Sequence, residues 1–423
     1  MKMLKTSLAV VVLLMISVSF LSAGGGQEAK EEGPVTVTFM ATESGLPAPS
    51  IEQFNKDFPQ IKLIRVERDY TKWMADAMAG TAADLLQIGF GTDIGYYSRR
   101  GLLLDISDFL KNSEVIKPDD IDLFGSNSYR FDGTEFGKGA WYGLPFDYNN
   151  IGAITYNTQM FKDTGLANLS TTAPITYPEM AAMAEKLTRK DSSGAVTTWG
   201  TNMAANWIKT IVSDMATASG VNLYTDKERS KMNRDPEANE FWLYWARLAV
   251  NDIVGNARYP TPGWTGAAFQ SDRVAIVQLG YWFGAQLQSV DGYQEKYAWA
   301  PTPIIKKGAP RVTNNLGATG IALYSKSKQP KAAFTVFEWR NGGWEQKRRA
   351  ATGWGIPPVK SLQSLAPTDN EFNRSRLKIM QDDAQYMVPW QASPFILSTA
   401  YEGSWSSYID EQVEGRTSFP QQG

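Results

Sequence analysis

Residues 141–166 read WYGLPFDYNNIGAITYNTQMFKDTGL, and this stretch is the most informative about the fold. A Gly-Leu-Pro turn at 143–145 interrupts any regular element. The polar run 147–150 follows it, and residues 151–156 then form an apolar segment typical of a buried β-strand. A turn and a polar run before a buried strand predict a junction where the chain passes from one α/β region to another.

Strand and helix patterns alternate before this junction. The segments 34–40, 61–66 and 84–88 have the alternating or apolar patterns of strands. The segments 51–58 and 70–79 are typical of helices, and they end at a proline and a glycine. The alternation predicts a parallel sheet covered by helices.

The same alternation returns after the junction. Thr176 and Glu179 form a capping box in front of an apolar helix face. Strands are predicted at 274–279 and 320–324, and the prolines within 301–303 mark a second candidate crossing. The chain is therefore expected to contain two α/β regions.

The 423 residues include no cysteine and no histidine. Their absence excludes disulfides, thiol nucleophiles, Ser-His-Asp triads and imidazole ligands to zinc. Neither a dinucleotide-binding glycine loop nor a phosphate-binding loop occurs, so no cofactor is expected. The spaced Asp, Asn and Gly pattern of a calcium-binding loop also fails, so no bound metal is expected. The net charge of −2 argues against nucleic acid as a partner.

Residues 1–23 have the lysines, the short apolar run and the small residues of a secretory signal peptide. Residues 24–33 are a flexible polar leader. Gly24 stands where a lipoprotein signal requires cysteine, so a lipid anchor is excluded. We expect a periplasmic or extracellular protein.

Tryptophan is unusually frequent, with 14 residues. Four of them lie in polar or glycine-rich segments: Trp207, Trp264, Trp282 and Trp354. A flat indole matches the C–H face of a sugar ring, and polar side chains match its hydroxyl groups. These tryptophans are candidate contacts to a carbohydrate, although each could also pack within a core.

A protein with such carbohydrate contacts could bind its ligand without changing it. The alternative is a secreted carbohydrate-active enzyme, such as a glycoside hydrolase or lyase. It would need a pair of carboxylates in one cleft. The candidates are Glu43, Asp93, Asp147, Glu338 and Glu402, which are chosen by residue type alone.

Several motifs occur in the order of a known family. They are FNKDFPQIKL at 54–63, AGTAADLLQIG at 79–89, the stretch 141–166, TYPEMAAMAEKLT at 176–188, FQSDRVAIVQLGYW at 269–282 and GWGIPPVKS at 353–361. In this order they resemble the extracellular solute-binding proteins of bacterial ABC importers, family 1, which includes the maltose-binding proteins. Ala83 replaces the family's usual proline, and Asp272-Arg273 stands where Gly-Lys is common.

The resemblance implies an α/β, periplasmic binding protein-like type II fold with two lobes, a hinge and a ligand cleft. It places lobe 1 at 34–147 plus 302–345, and lobe 2 at 148–301 plus 346–423. It further implies that the protein is not an enzyme: it binds a sugar or oligosaccharide and delivers it to the permease subunits. The protein is expected to be a monomer. A receptor of the same fold that signals instead of importing is a third hypothesis.

The cleft of such a protein lies beyond the carboxyl ends of its strands. Trp282, one of the four tryptophans, is the last residue of its motif. Besides the four tryptophans, this rule and the motif positions select eight further candidate ligand contacts: Glu43, Asp93, Asp147, Tyr148, Asn149, Asn150, Asn315 and Gly317.

Overall fold

A computed structural model describes residues 33–202, 205–317, 319–388 and 390–415, without the side chains of 205, 206 and 315–317. The chain divides into two units, Met1–Gly33 and Pro34–Gly423, and the described strands and helices all belong to the second. The predicted signal peptide, residues 1–23, lies outside the described residues.

Fifteen strands are found among the described residues, most of them short. They are β1 Val35–Met40, β2 Ile61–Val66, β3 Leu85–Ile88, β4 Arg130–Phe131, β5 Ala140–Trp141, β6 Leu144–Pro145, β7 Tyr148–Asn150, β8 Ile154–Asn157, β9 Arg189–Lys190, β10 Val196–Asn202, β11 Val274–Val277, β12 Tyr297–Ala300, β13 Thr313–Gly317, β14 Gly320–Leu323 and β15 Met387–Val388.

Sixteen α-helices accompany them in the same part of the chain. They are α1 Ala48–Asp57, α2 Tyr70–Ala79, α3 Asp93–Ser98, α4 Ser107–Lys111, α5 Leu123–Ser126, α6 Thr158–Asp163, α7 Tyr177–Leu187, α8 Ala205–Ala218, α9 Pro236–Val250, α10 Thr265–Gln270, α11 Phe283–Leu287, α12 Tyr293–Lys296, α13 Pro330–Asn341, α14 Trp344–Thr352, α15 Glu371–Ala384 and α16 Ser398–Val413. None of the described helices is long and apolar enough to cross a membrane.

Local sequence signals explain several helix ends. Asp69 accepts a hydrogen bond from the Lys72 backbone N–H at the start of α2, and Gly80 ends that helix in the left-handed conformation. The predicted capping box is present at α7, where Thr176 and Glu179 each accept from the other's backbone N–H. These helix predictions are confirmed.

The first sheet has the strand order β2-β1-β3-β14-β6. Strands β1, β2 and β3 are parallel, as the sequence predicts, but β14 runs antiparallel to β3 and to β6. Strand β14 follows the second sheet rather than a crossover helix of the first, so its direction is not bound by the βα alternation. Val37, Leu85 and Ile321 belong to the core under this sheet.

The second sheet has the strand order β12-β8-β11-β10-β9. It is also mixed, because β10 and β11 are parallel whereas β8 is antiparallel to both of its neighbours. Its core includes Tyr156, Ile211 and Ile276. The two sheets provide the two α/β regions that the sequence predicts, while the residue bounds of the lobes stay a prediction.

A small third sheet, β15-β13-β7, joins the paths between the two larger sheets. The chain leaves the first sheet at β6 and enters the second at β8, with β7 between them. It returns from β12 to β14 through β13, which pairs antiparallel with β7. The polar run 147–150 therefore lies where the two paths run side by side.

Candidate functional site

The polar run at the crossing points inward. Asp147 forms an ion pair with Arg349 at 2.8 Å, and it accepts a hydrogen bond from the Asn149 amide at 3.0 Å. The Asn149 oxygen accepts from the Trp282 backbone N–H at 2.8 Å. Both Asp147 and Asn149 are buried. These contacts tie β7 to α14 and to the start of α11.

Tyr148 and Asn150 are also buried and bonded within the protein. The Tyr148 hydroxyl donates to Asp122 at 2.9 Å, and the Asn150 amide donates to Asp383 at 2.7 Å. Asp383 also makes an ion pair with Arg311. In the described conformation, the four predicted residues 147–150 hold the crossing together.

The two acidic residues predicted at strand ends have different surroundings. Glu43, after β1, is exposed; it pairs with Arg65 and accepts from the Ala48 backbone N–H at 3.3 Å. Asp93, in the first turn of α3, is buried and accepts from both the backbone N–H and the hydroxyl of Ser398. Asp93 thus connects α3 to the start of α16.

Lys209 of α8 completes the surroundings of Asp93. Its ammonium donates to the Ser398 carbonyl at 3.0 Å and to Glu402 at 3.3 Å, and it lies 4.3 Å from the centre of the Phe90 ring. Burial raises the pKa of Asp93 to about 6, although the Ser398 hydrogen bonds and the Lys209 charge oppose this shift. Burial likewise lowers the pKa of Lys209 to about 8.

The raised pKa of Asp93 predicts a pH effect on stability. Between about pH 4 and 6 the folded protein holds the proton of the Asp93 carboxyl group more tightly than the unfolded chain does. The free energy of unfolding therefore falls as the pH rises through this range and Asp93 ionises. The Asp93→Asn variant cannot ionise. We expect it to be more stable than the wild type by about 1–3 kcal/mol above pH 7 and equally stable below pH 4, measured by urea unfolding.

The control for this measurement is Asp119→Asn, which removes an exposed carboxylate. A difference between wild type and Asp93→Asn that stays constant from pH 3 to pH 8 would contradict the assignment of the shift to Asp93.

The four predicted tryptophans come together. Trp282 lies between Trp264 and Trp354, with ring centres 6.1 and 6.0 Å away and interplanar angles of 20° and 12°. Trp207 meets Trp282 edge-on at 5.8 Å. We call these four residues the tryptophan stack. Trp264 and Trp354 both stack on Trp282, and Trp264 is the exposed member, at 43 %.

Glycine permits part of this arrangement. The Trp264 ring lies against Gly266, where an added Cβ would approach the ring to 2.0 Å. A larger residue at 266 would therefore displace Trp264.

The remaining predicted contacts lie on β13. Asn315 pairs with Asn150 and Gly317 with Tyr148 in the antiparallel register. The Asn315 side chain is outside the described part of the structure, so only the backbone of these two residues is placed at the crossing.

A cavity of about 720 Å³ opens where several chain segments meet. Its residues come from three places: the segment between β3 and β5, the end of α8 with the segment after it, and β15 with the segment after it. The aromatic members are Phe136, Tyr224 and Trp390, the uncharged polar members include Thr92, Asn127, Ser128, Asn222, Thr225 and Gln391, and the charged members are Glu135, Asp226, Lys227 and Arg229. We call this space the cavity.

The cavity combines flat apolar surfaces with hydrogen-bonding groups. The Ser128 hydroxyl is buried and lacks a hydrogen-bond partner among the described residues. Trp390 meets Phe90 edge-on at 6.1 Å, and Lys209 lies 5.7 Å from the Trp390 ring. The cavity therefore adjoins the Asp93–Lys209 cluster.

Sequence reasoning missed the residues of the cavity. Trp390 follows Pro389 in the sequence, the same kind of context that selected the other four tryptophans, so a signal was present. Arg229 stands in the charged segment TDKERSK at 225–231, which is typical of a solvated loop. Its place in the cavity depends on contacts distant in sequence.

A larger groove, of about 1100 Å³, runs between α9 and α16. Aromatic and aliphatic side chains dominate it, including Trp242, Leu243, Trp405 and Tyr408. Its residues fall within 232–247 and 396–408, so it takes no residue from the segments around the first sheet. Among the described residues, no group of three or more Asp or Glu side chains could hold a metal ion.

Comparison with known proteins places these features in context. The family model of bacterial extracellular solute-binding proteins matches residues 40–339. A search of curated protein sequences gives no significant match.

Solved structures align over nearly the whole chain. An ABC transporter solute-binding protein from Thermotoga lettingae, bound with α-D-tagatose, has 18% identity and a TM-score of 0.70 over 91% of this chain and 95% of its own. An ABC substrate-binding protein from Listeria monocytogenes, in complex with cycloalternan, has 17% identity and a TM-score of 0.66 over 90% and 99%. The GacH receptor of Streptomyces glaucescens, solved with acarbose, has 18% identity and a TM-score of 0.67 over 91% and 95%. These similarities confirm the predicted two-lobe α/β fold.

Proposed function

Because the chain belongs to the family of bacterial extracellular solute-binding proteins, we propose that it binds a sugar or oligosaccharide in the cavity and delivers it to the permease of an ABC importer. Its predicted signal peptide would export it to the periplasm or the exterior, where it would act as a monomer.

The composition of the cavity carries this proposal. A sugar ring has an apolar C–H face and an edge of hydroxyl groups. The rings of Phe136, Tyr224 and Trp390 offer surfaces for such faces, and the amide and hydroxyl side chains beside them offer partners for the edges. A volume of about 720 Å³ lies within the usual range for small-molecule sites. The carbohydrates bound by the compared structures support the same ligand class.

The position of the cavity suits ligand-driven closure. Thr92 follows β3 of the first sheet, whereas Tyr224 follows α8, which lies between strands of the second. A ligand that contacts both walls favours the closed arrangement by its additional contacts, and a permease can recognise that arrangement.

Helix α8 connects the cavity with the tryptophan stack. Trp207 lies near its start and Thr217, a residue of the cavity, lies ten positions later, about 15 Å along the helix axis. A span of this length exceeds a single sugar ring, so a ligand that touches both features would be an oligosaccharide. We retain the stack as a proposed second contact.

Catalysis is not part of the proposal. Of the five carboxylates considered, Glu43 and Asp147 pair with arginines, Glu338 accepts from the Ser113 hydroxyl, and Glu402 accepts from Lys209. Asp93 is bonded twice to Ser398. We therefore expect no turnover of chromogenic glycosides, and measurable turnover abolished by one carboxylate-to-amide change would favour the enzyme alternative.

Thermal unfolding with a carbohydrate panel tests the proposed function. A ligand specific for the folded protein should raise the melting temperature progressively with its concentration. The panel should contain monosaccharides, polyols and oligosaccharides, with amino acids and polyamines as controls. A response to a control compound and to no carbohydrate would overturn the proposal while leaving the fold unaffected.

The stack leads to a separate prediction. Trp264→Ala removes its exposed member and should weaken oligosaccharide binding about two- to tenfold, because a stacked aromatic contact contributes roughly 0.5–1.5 kcal/mol. Trp344→Ala is the matched control, since Trp344 is 40 % exposed and stacks on Trp339 at 5.9 Å, away from the stack. If both variants bind the oligosaccharide with equal affinity in fluorescence titrations, the tryptophan stack is not part of the binding site.

A further inference from the structure

The charged residues of the cavity are unequally paired. Glu135 forms an ion pair with Lys138. Asp226 accepts hydrogen bonds from the backbone N–H groups of Ser230 at 2.9 Å and Lys231 at 2.7 Å. Both carboxylates of the cavity are thus engaged within their own segments.

The two cationic side chains of the cavity, unlike its two carboxylates, have no ion-pair partner among the described residues. Neither Lys227 nor Arg229 forms an ion pair with any described residue, and Glu135 attracts both only through space. The Arg229 Nε is buried and has no hydrogen-bond partner in the described part of the chain. Arg229 as a whole is half-buried. A buried donor without a partner is costly, and an anion that accepts hydrogen bonds from this guanidinium group would offset that cost.

Arg229 is held in a defined position. Its guanidinium carbon lies 5.7 Å from the centre of the Phe136 ring. Its φ is 58°, a left-handed conformation that is uncommon for residues with a side chain. Its backbone N–H donates to the Asp226 carbonyl at 3.1 Å, which supports this turn. The loop therefore places the guanidinium in the cavity at a conformational cost.

We infer that the natural ligand is an acidic carbohydrate, a sugar or oligosaccharide containing a uronic acid, whose carboxylate binds Arg229. This inference rests on the proposed function. The planar guanidinium can donate two parallel hydrogen bonds to a carboxylate, which adds geometric selectivity to the charge attraction. Lys227 adds a second positive charge to the same cavity, while Phe136, Tyr224 and Trp390 receive the ring faces.

The test compares acidic and neutral ligands of equal length by titration calorimetry. Oligomers of galacturonate and glucuronate are measured against the corresponding oligomers of galactose and glucose. We expect at least one acidic ligand to bind about tenfold more tightly than its neutral counterpart, since a hydrogen bond to a charged group contributes more than a neutral one. Its affinity should fall as the salt concentration is raised.

Variants identify the group responsible. Arg229→Gln should reduce the affinity for the acidic ligand about tenfold or more and reduce the affinity for the neutral ligand much less, because glutamine can still donate a hydrogen bond to a hydroxyl group. Arg229→Lys, which keeps the charge but not the planar fork, should recover part of the loss. Arg234→Gln, at an exposed arginine of the α9–α16 groove, is the matched control and should change neither affinity. The melting temperature of each variant verifies its folding.

Three results would overturn the inference. If neutral sugars bind as tightly as acidic ones, and Arg229→Gln affects neither, the proposed function stands but the acidic class is wrong. If sugar phosphates bind and uronic acids do not, Arg229 still binds an anionic group of the ligand, but that group is a phosphate and not a carboxylate. If no carbohydrate binds at all, the proposed function fails as well.

Discussion

Replacing Asp147 with alanine is expected to lower the free energy of unfolding by about 3–5 kcal/mol, the usual cost of breaking a buried ion pair. The side chains of Asp147 and Arg349 are 8% and 9% exposed, and they meet at 2.8 Å. Without Asp147, the guanidinium would stay among the rings of Phe146 and Trp354 with no carboxylate to balance it. Urea unfolding followed by circular dichroism measures the loss.

The paired replacement separates charge from packing. An Asp147→Ala, Arg349→Met double variant removes both charges, so it should be more stable than Asp147→Ala alone. Asp119→Ala, at an exposed position, should change stability by less than about 0.5 kcal/mol. The cycle also needs Arg349→Met alone. If the losses of Asp147→Ala and Arg349→Met simply add in the double variant, Asp147 and Arg349 are not coupled, and the crossing is held together in another way.

Replacing Trp390 with alanine is expected to weaken carbohydrate binding about 100-fold. Trp390 is an aromatic member of the cavity, and it also meets Phe90 edge-on beside Lys209. Its removal takes away a stacking surface and opens the contact between the cavity and the Asp93–Lys209 cluster. Titration calorimetry with the tightest ligand of the panel measures the effect.

Trp242→Ala is the matched control for this variant. Trp242 is half-buried like Trp390 and contacts another aromatic ring, Trp405, at 5.0 Å, but it lies in the α9–α16 groove. We expect it to leave carbohydrate affinity unchanged. If Trp242→Ala abolishes binding and Trp390→Ala does not, the ligand site is the groove.

Local signals in the sequence are sufficient for much of the fold. Helix α2 runs over Tyr70–Ala79, the predicted bounds, because Asp69 and Gly80 fix its two ends. The capping box at Thr176 works in the same way. Such signals act over a few residues, so one segment is enough to read them.

Strand direction required information that no segment contains. The alternation of strands and helices predicts a parallel sheet, yet β14 is antiparallel to β3. The path of the chain through β12 and β13 sets that direction, and this path depends on pairings between distant segments.

The site shows the same limit. The glycine, proline and asparagine neighbours of four tryptophans predicted a shared role, and the structure brings all four together. The polar run 147–150 is predicted to contact ligand, and this stays a prediction; the bond from Asn150 to Asp383, 233 positions later, could not be read from the sequence. The sequence analysis does not select Arg229, because its surroundings, including Phe136, are also distant in sequence.

A crystal structure of the protein with a saturating oligosaccharide from the panel tests the central claim most directly. The expected result is a ligand in the cavity, with a ring face against Trp390 and polar groups within hydrogen-bonding distance of Ser128 and Arg229. A ligand bound instead in the α9–α16 groove, with the cavity empty at saturation, would contradict it.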